Sequence, residues 1–189
     1  MLKALIISSF FFLFRFGLIA QPFSVAEIGA SVSYPSSQSS IYSERWNLTE
    51  SRSFHFRTPF YFGKTGFNIE FFDYETRNES NSDASSINLS TYFGFDIIKS
   101  KFFKLTPGIF VGMQRLNSAT RSRFSSNSIE LELFYSASLE PQIVFKRIII
   151  FGDFQYRRIY NFYRQDIFFG GMGIKLQLDL PKRIRSILD

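Results

Sequence analysis

Histidine and cysteine, two residue types that often do covalent chemistry, are scarce in this chain of 189 residues. Cysteine is absent, which excludes disulfides, thiolate nucleophiles and cysteine-ligated metal sites. His55 is the only histidine, so a Ser-His-Asp site would have to use it. Its place beside Arg57, in a segment of alternating polarity, favours a polar residue within a hydrogen-bond network. We therefore expect no catalytic residue, no metal site and no cofactor.

Charged residues of both signs recur at alternating positions and would share one face of the elements that carry them. Paired carboxylates can perform general acid–base chemistry. Opposite charges that are buried together more often neutralise one another, because an unpaired buried charge is costly. We interpret the set as a structural charge network that consists of Glu27, His55, Arg57, Glu70, Asp96, Lys104, Glu130, Glu132, Glu140, Asp153, Arg157 and Lys175.

The elements that must position these residues are strands. No segment after the N-terminal region has a 3.6-residue apolar stripe, whereas alternation with a period of two recurs. Between Ile129 and Leu139 every second residue is apolar or tyrosine, and Phe54 to Phe62 is similar. The pattern predicts eight strands, each close to the length that a tilted membrane-spanning strand needs, over residues 26–34, 54–62, 67–71, 87–97, 105–113, 129–139, 148–156 and 172–180.

Short connections alternate with long ones. Tight turns are predicted at 63–66, 99–102 and 145–147, and long polar loops at 35–50, 75–86, 115–127 and 158–166. Outer-membrane barrels combine short periplasmic turns with longer extracellular loops. A soluble lipocalin-type barrel would show the same alternation with the apolar face inside. The small polar residues of one face favour the membrane orientation, with a girdle of Tyr34, Tyr135 and Tyr156 near the long loops.

The N-terminus has the composition of an export signal. Lys3 precedes an apolar run over residues 4–14, which is too short to span a bilayer. Ala20 provides a small residue before a cleavage site at Gln21. We predict a signal peptide over 1–20, a barrel over 21–180 and a short periplasmic tail over 181–189, with an uncleaved anchor as the alternative to the signal peptide.

This pattern resembles the small outer-membrane β-barrel family of the OmpA transmembrane domain and OmpX. The resemblance covers residues 23–180 and rests on alternating segments such as SIELELFYSASLE at 128–140 and GGMGIKLQLDL at 170–180. It implies an all-β fold, an eight-stranded antiparallel up-and-down transmembrane β-barrel, in the outer membrane of a Gram-negative bacterium. It also implies the barrel-assembly machinery as a partner. Many members end on an aromatic residue, whereas the last strand here ends near Leu178 or Leu180, so the assembly signal is internal or a looser one.

The chain is basic, with a net charge of +6 and a pI of about 9.6. Its Lys and Arg residues are scattered between aromatic runs and form no stripe, so nucleic acid is not an expected partner. Basic residues near the short turns suit phospholipid head groups, and arginines near the long loops suit lipopolysaccharide phosphates. Outer-membrane lipids and lipopolysaccharide are therefore the expected partners, and a monomer is the expected state.

The function that the sequence favours is a non-enzymatic outer-membrane β-barrel with a structural or surface-interaction role through its long extracellular loops. Loops on a rigid scaffold usually carry binding. Three alternatives stay open. They are an outer-leaflet lipid-modifying enzyme that uses His55, as the resemblance to a family with lipid A deacylases allows, a narrow porin-like channel, and a soluble periplasmic lipocalin-like binder.

Overall fold

The computed structural model describes residues 25–39, 46–76, 81–120, 128–160 and 165–180. The predicted signal peptide over 1–20 and the tail over 181–189 lie outside these ranges. No helix in the described chain is long and apolar enough to cross a membrane. The strands are β1 (Val25–Ser39), β2 (Trp46–Phe60), β3 (Gly63–Thr76), β4 (Asn81–Gly94), β5 (Ile98–Lys99), β6 (Phe103–Thr120), β7 (Ser128–Phe145), β8 (Ile148–Tyr160) and β9 (Gln165–Asp179).

All strand pairings are antiparallel, and together they close a barrel. The order around the sheet is β4-β3-β2-β1-β9-β8-β7-β6, and a β4–β6 pairing joins its two ends. β5 is a two-residue strand that pairs only with the start of β6. The predicted eight-stranded up-and-down barrel is confirmed. Among the described residues, closure gives each of the eight long strands a partner on both sides, because a strand in hydrocarbon could not tolerate an unpaired edge.

The barrel has two unlike ends. At the turn side, the connections are residues 61–62, 95–102 and 146–147, and the first and last described barrel strands meet there as Val25↔Asp179. At the loop side, the connecting segments are residues 40–45, 77–80, 121–127 and 161–164. Both chain ends of the barrel therefore lie at the turn side, as an even number of strands requires.

The first tight turn was predicted at 63–66, two residues too late, because Gly63 and Gly66 suggested a turn there. The turn is formed by Tyr61 and Phe62, and Tyr61 takes the positive φ of 50° itself. Gly66 is not part of the turn but allows close packing, since a Cβ there would lie 2.0 Å from the carbonyl oxygen of Phe56. A side chain at that position is excluded by the close approach of β2 rather than by the backbone dihedrals.

The eight barrel strands, all but β5, are 13 to 18 residues long, and this overturns the predicted long loops. Most of 35–50, 75–86, 115–127 and 158–166 belongs to strands that continue towards the loop side. The ladder persists there, for example at Ser118↔Ser128. The outward face of these segments is polar because it lies beyond the apolar belt, so the alternation of an apolar outer face with a polar inner face is lost there.

The apolar face of the strands points outward. Large apolar side chains are exposed on the outer wall, including Phe54 at 59%, Leu89 at 58% and Met172 at 73%. We call this outward band the apolar belt. Above it, towards the loop side, the outward positions are polar, as at Arg52, Asp73 and Arg115. The membrane orientation is confirmed, and the lipocalin-like alternative, which requires the apolar face inside, is wrong.

Candidate functional site

The inside of the barrel, the lumen, is the only place where the predicted charges can meet, because they face inward from different strands. In the turn-side half of the lumen, Arg57 of β2 contacts Glu140 of β7, with an Nη2–Oε1 distance of 2.7 Å. β2 and β7 lie four places apart in a ring of eight, so this ion pair spans the diameter of the barrel. Lys175 adds its Nζ at 2.5 Å from Glu140 Oε2.

The cluster around Glu140 is buried and tightly packed. The side chains of Arg57, Glu140 and Lys175 are each 2% exposed or less. The Arg57 guanidinium lies over the ring of Tyr92, with its carbon 3.8 Å from the ring centroid. Gln142 donates a hydrogen bond of 3.1 Å to the same Glu140 carboxylate. A single carboxylate thus accepts hydrogen bonds from two cations, which is the arrangement that makes a buried charge tolerable.

A second ion pair crosses the lumen nearer the loop side. Arg157 of β8 contacts Glu70 of β3 at 2.7 Å, and these two strands again lie four places apart. Arg157 is also surrounded by aromatic rings. Its guanidinium carbon lies 4.5, 5.1 and 5.3 Å from the ring centroids of Phe134, Phe72 and Phe169. A planar guanidinium group stacks on aromatic rings more readily than a lysine ammonium group does.

Beyond Arg157, the lumen is apolar, and the sequence interpretation missed this. A buried cluster, which we call the lumen cap, fills the loop-side half with Leu48, Phe72, Tyr74, Ala84, Leu116, Phe134, Ile159, Ile167 and Phe169. Phe72 stacks on Phe169 with ring centroids 5.5 Å apart. The available signal was a pair of aromatic doublets, Phe71-Phe72 and Phe168-Phe169. In an alternating strand, a doublet places one ring on each face.

A third group of charges lies at the turn-side mouth. Lys64 Nζ lies 2.8 Å from Glu27 Oε1 and 3.7 Å from Asp96 Oδ1. Asp96 also accepts a hydrogen bond of 2.7 Å from Thr106. Lys104 is half-buried on the adjacent strand. Lys64 was not among the predicted network residues, so the partner of Glu27 and Asp96 was missed.

The remaining predicted network residues have other surroundings. His55 is 4% exposed and packs edge-on against Phe151, with ring centroids 5.3 Å apart. Asp153 accepts hydrogen bonds from Gln155 and, at 3.3 Å, from Ser33. Glu132 is buried in the lumen wall. Glu130 lies in β7 where side chains are outside the described part of the structure.

The predicted strand over 54–62 placed His55 at the end that follows the long loop, and this placement is wrong. β2 continues for nine residues towards the loop side, from Phe54 back to Trp46, but only five towards the turn. His55 therefore belongs to the turn-side half of the barrel. The described residues contain no group of three or more His, Asp or Glu side chains that could hold a metal ion.

Solved structures with the same architecture agree with this geometry. The outer membrane protein OprG of Pseudomonas aeruginosa matches with a TM-score of 0.59 at 10% identity, over 85% of this chain and 98% of that one. This chain folds as a small outer-membrane β-barrel. Neisserial surface protein A matches the barrel with a TM-score of 0.55 at 13% identity, over 83% of this chain and 97% of that one.

The attachment invasion locus protein Ail of Yersinia pestis matches the same barrel with a TM-score of 0.54 at 11% identity, over 82% of this chain and 99% of its own. No protein-family model matches the chain. No curated protein matches it in sequence either. The likeness is therefore one of fold. The apolar belt and the closed small outer-membrane β-barrel together assign the protein to the outer membrane of a Gram-negative cell.

Proposed function

We propose that the protein is a closed, non-enzymatic outer-membrane scaffold whose interactions take place at its loop-side surface. One observation supports this above the others. Two ion pairs, Arg57–Glu140 and Arg157–Glu70, cross the full width of the lumen, and the lumen cap fills the space beyond them. A barrel filled in this way offers neither a water path nor a solvent-accessible inner site.

The filled lumen argues against the narrow channel. Passage would require separating charges that are buried and hydrogen-bonded, which is a large energetic cost. Purified protein in a planar lipid bilayer is therefore expected to give no single-channel conductance steps. A porin reconstituted in parallel is the positive control, because its insertion must give conductance steps in the same bilayer. Regular conductance steps from this protein would overturn the closed-scaffold proposal.

The position of His55 argues against the lipid-modifying enzyme. An outer-leaflet enzyme needs its catalytic groups near the lipid surface at the loop side, whereas His55 is buried against Phe151 in the turn-side half. Cells that express His55→Ala are expected to have the same lipid A composition, by mass spectrometry, as cells that express the unaltered chain. A lipid A species that depends on both expression and His55 would contradict this.

Charge supports lipopolysaccharide as one contact of the loop-side surface. The four loop-side segments contain five arginines and two glutamates. Arginine can contact a phosphate through two parallel hydrogen bonds, and anionic head groups surround this end of an outer-membrane barrel. Lipid A phosphates are therefore a matching partner for Arg121 and Arg123, which lie in the segment 121–127.

The double change Arg121→Gln/Arg123→Gln tests this contact. Lipid A binding to the detergent-solubilised protein is expected to weaken by about tenfold for each lost bidentate contact of about 1.5 kcal/mol. Native mass spectrometry with added lipid A measures the bound fraction. Lys146→Gln/Arg147→Gln, at the opposite end of the barrel, is the control and is expected to bind as the unaltered chain does. Equal loss in both variants would show only a general charge effect.

A further inference from the structure

A polar pocket opens at the turn-side mouth of the barrel and is not explained by the scaffold role. It has a volume of about 450 Å³ and lies between the β2–β3 turn, β5 and the start of β6. Its charged lining consists of Glu27, Lys64, Asp96, Lys99 and Lys104. Three lysines face two carboxylates, so the pocket carries one net positive charge.

The two carboxylates already have a cation. Lys64 contacts Glu27 at 2.8 Å and Asp96 at 3.7 Å, and the threonine hydroxyl of Thr106 donates to Asp96. Lys99 and Lys104 are left over, and neither has an ion-pair partner in the described part of the chain. The positive charge of the pocket is therefore concentrated on this pair of lysines.

Lys99 and Lys104 are direct cross-strand partners. They face each other in the two-residue ladder between β5 and β6. Like charges directly opposite one another destabilise a strand pair, and Lys104 is half-buried, which reduces the screening by water. An anion between the two ammonium groups would remove the repulsion of this pair at the end of β5.

The pocket also contains an acceptor without a donor. Glu27 is 5% exposed, and its Oε2 has no hydrogen-bond partner among the described residues, while its Oε1 is taken by Lys64. A buried acceptor without a partner is unfavourable by about 1–3 kcal/mol in protein mutants. A ligand that presents a hydroxyl group next to its anionic group would satisfy both this acceptor and the lysine pair.

We propose that the pocket binds a phosphate group, held by the ammonium groups of Lys99 and Lys104, with a hydroxyl of the same ligand donating to Glu27. The source is either the head group of an anionic phospholipid in the periplasmic leaflet or a free phosphate. The rim of the pocket favours access from the lipid boundary, since Phe62 lines it and is 82% exposed. Phe102, in the neighbouring turn, is 64% exposed.

Acylation of lysines followed by mass spectrometry tests the proposal with the whole protein. In detergent, inorganic phosphate is added at constant ionic strength against chloride. In nanodiscs, phosphatidylglycerol is compared with phosphatidylcholine. Slower acylation of Lys99 and Lys104 by several-fold is expected in at least one arm. Protection by inorganic phosphate identifies a free phosphate as sufficient, whereas protection only by phosphatidylglycerol identifies the lipid head group.

Lys101 is the internal control, because it lies in the same turn, outside the pocket, with its Nζ 5.4 Å from the ring centroid of Phe102. Its acylation is expected to stay unchanged. Unchanged acylation of Lys99 and Lys104 in both arms would overturn the proposal, and so would equal protection of Lys101. The double change Lys99→Gln/Lys104→Gln is expected to lower the affinity for the protecting ligand, measured by calorimetry, by about tenfold or more. The Lys101→Gln variant is expected to bind this ligand with unchanged affinity.

Discussion

At the scale of single residues, the lumen is organised by charges that reach across it. Arg57 and Arg157 are long enough to cross to the opposite wall, and each meets one glutamate there. Glu140 is the more central of the two acids, because it accepts from Arg57, Lys175 and Gln142 together. Removing its charge would leave two buried cations without a counter-charge, whereas removing any one cation leaves the other in place.

Glu140→Gln is therefore expected to lower the free energy of unfolding by about 3–5 kcal/mol, the range for breaking one partner of a buried ion pair. Guanidinium unfolding of the protein in lipid vesicles measures this. Asp179→Asn is the control, because its pair with Arg147 at 2.8 Å is exposed on both sides and screened by water. A similar stability for both variants would mean that the lumen is hydrated enough to solvate the free cations.

At the scale of strands and turns, two tight connections use non-glycine residues in the left-handed region. Tyr61 has a φ of 50° and Lys146 a φ of 54°. A positive φ at the first of the two central residues is typical of the hairpin turns whose twist matches that of the strands. The conformational strain of the positive φ is offset by the hydrogen-bonded ladders on either side. These ladders run to the last residue before each turn, at Phe60↔Gly63 and Phe145↔Ile148.

Lys146 provides a clean test of this turn, because it is exposed and makes no ion pair in the described residues. Lys146→Val is expected to be less stable than Lys146→Asn by about 1 kcal/mol, since a β-branched residue disfavours positive φ and asparagine tolerates it. Both changes remove the same charge, so electrostatics cancel in the comparison. Equal unfolding free energies in vesicles would show that the turn relaxes to another conformation.

At the scale of the whole molecule, the strands are longer than the membrane needs. The apolar belt requires about ten residues of each tilted strand, whereas the strands contain 13 to 18. The surplus lies at the loop side, where the outward positions are polar and the lumen is apolar. The polarity of the two faces is thus reversed above the belt, as expected for a wall that stands in water around its own hydrophobic core.

Two outward positions of β4 test where the belt ends. Leu89 is 58% exposed within the belt, and Ser85 lies four residues nearer the loop side on the same face. Leu89→Arg is expected to lower stability in vesicles by about 2–4 kcal/mol, and Ser85→Arg by about 0–1 kcal/mol. Both changes add one arginine to the same strand, so the two variants differ mainly in the depth of the substituted position within the bilayer. Equal effects would contradict the position of the belt.

The strands inside the belt could be predicted from sequence, whereas their loop-side extensions could not. Between Leu133 and Leu139 the alternation is clear because one face meets lipid and the other meets the lumen. From Arg115 towards Thr120 the outer face meets water, and the pattern disappears although the pairing with β7 continues. The predicted loops were therefore too long, and the connecting segments outside the described strands have four to seven residues.

Alternation along the chain determined by itself that these strands have an apolar and a polar face, because side-chain direction in a strand follows from the local backbone alone. Which charges neutralise one another was decided only by the tertiary structure. Arg57 and Glu140 are 83 residues apart, and they meet because closure with eight strands sets β2 opposite β7. The same closure brings aromatic side chains from several strands into one lumen cap. Strand count and register are properties of the closed ring, so no local pattern contains them.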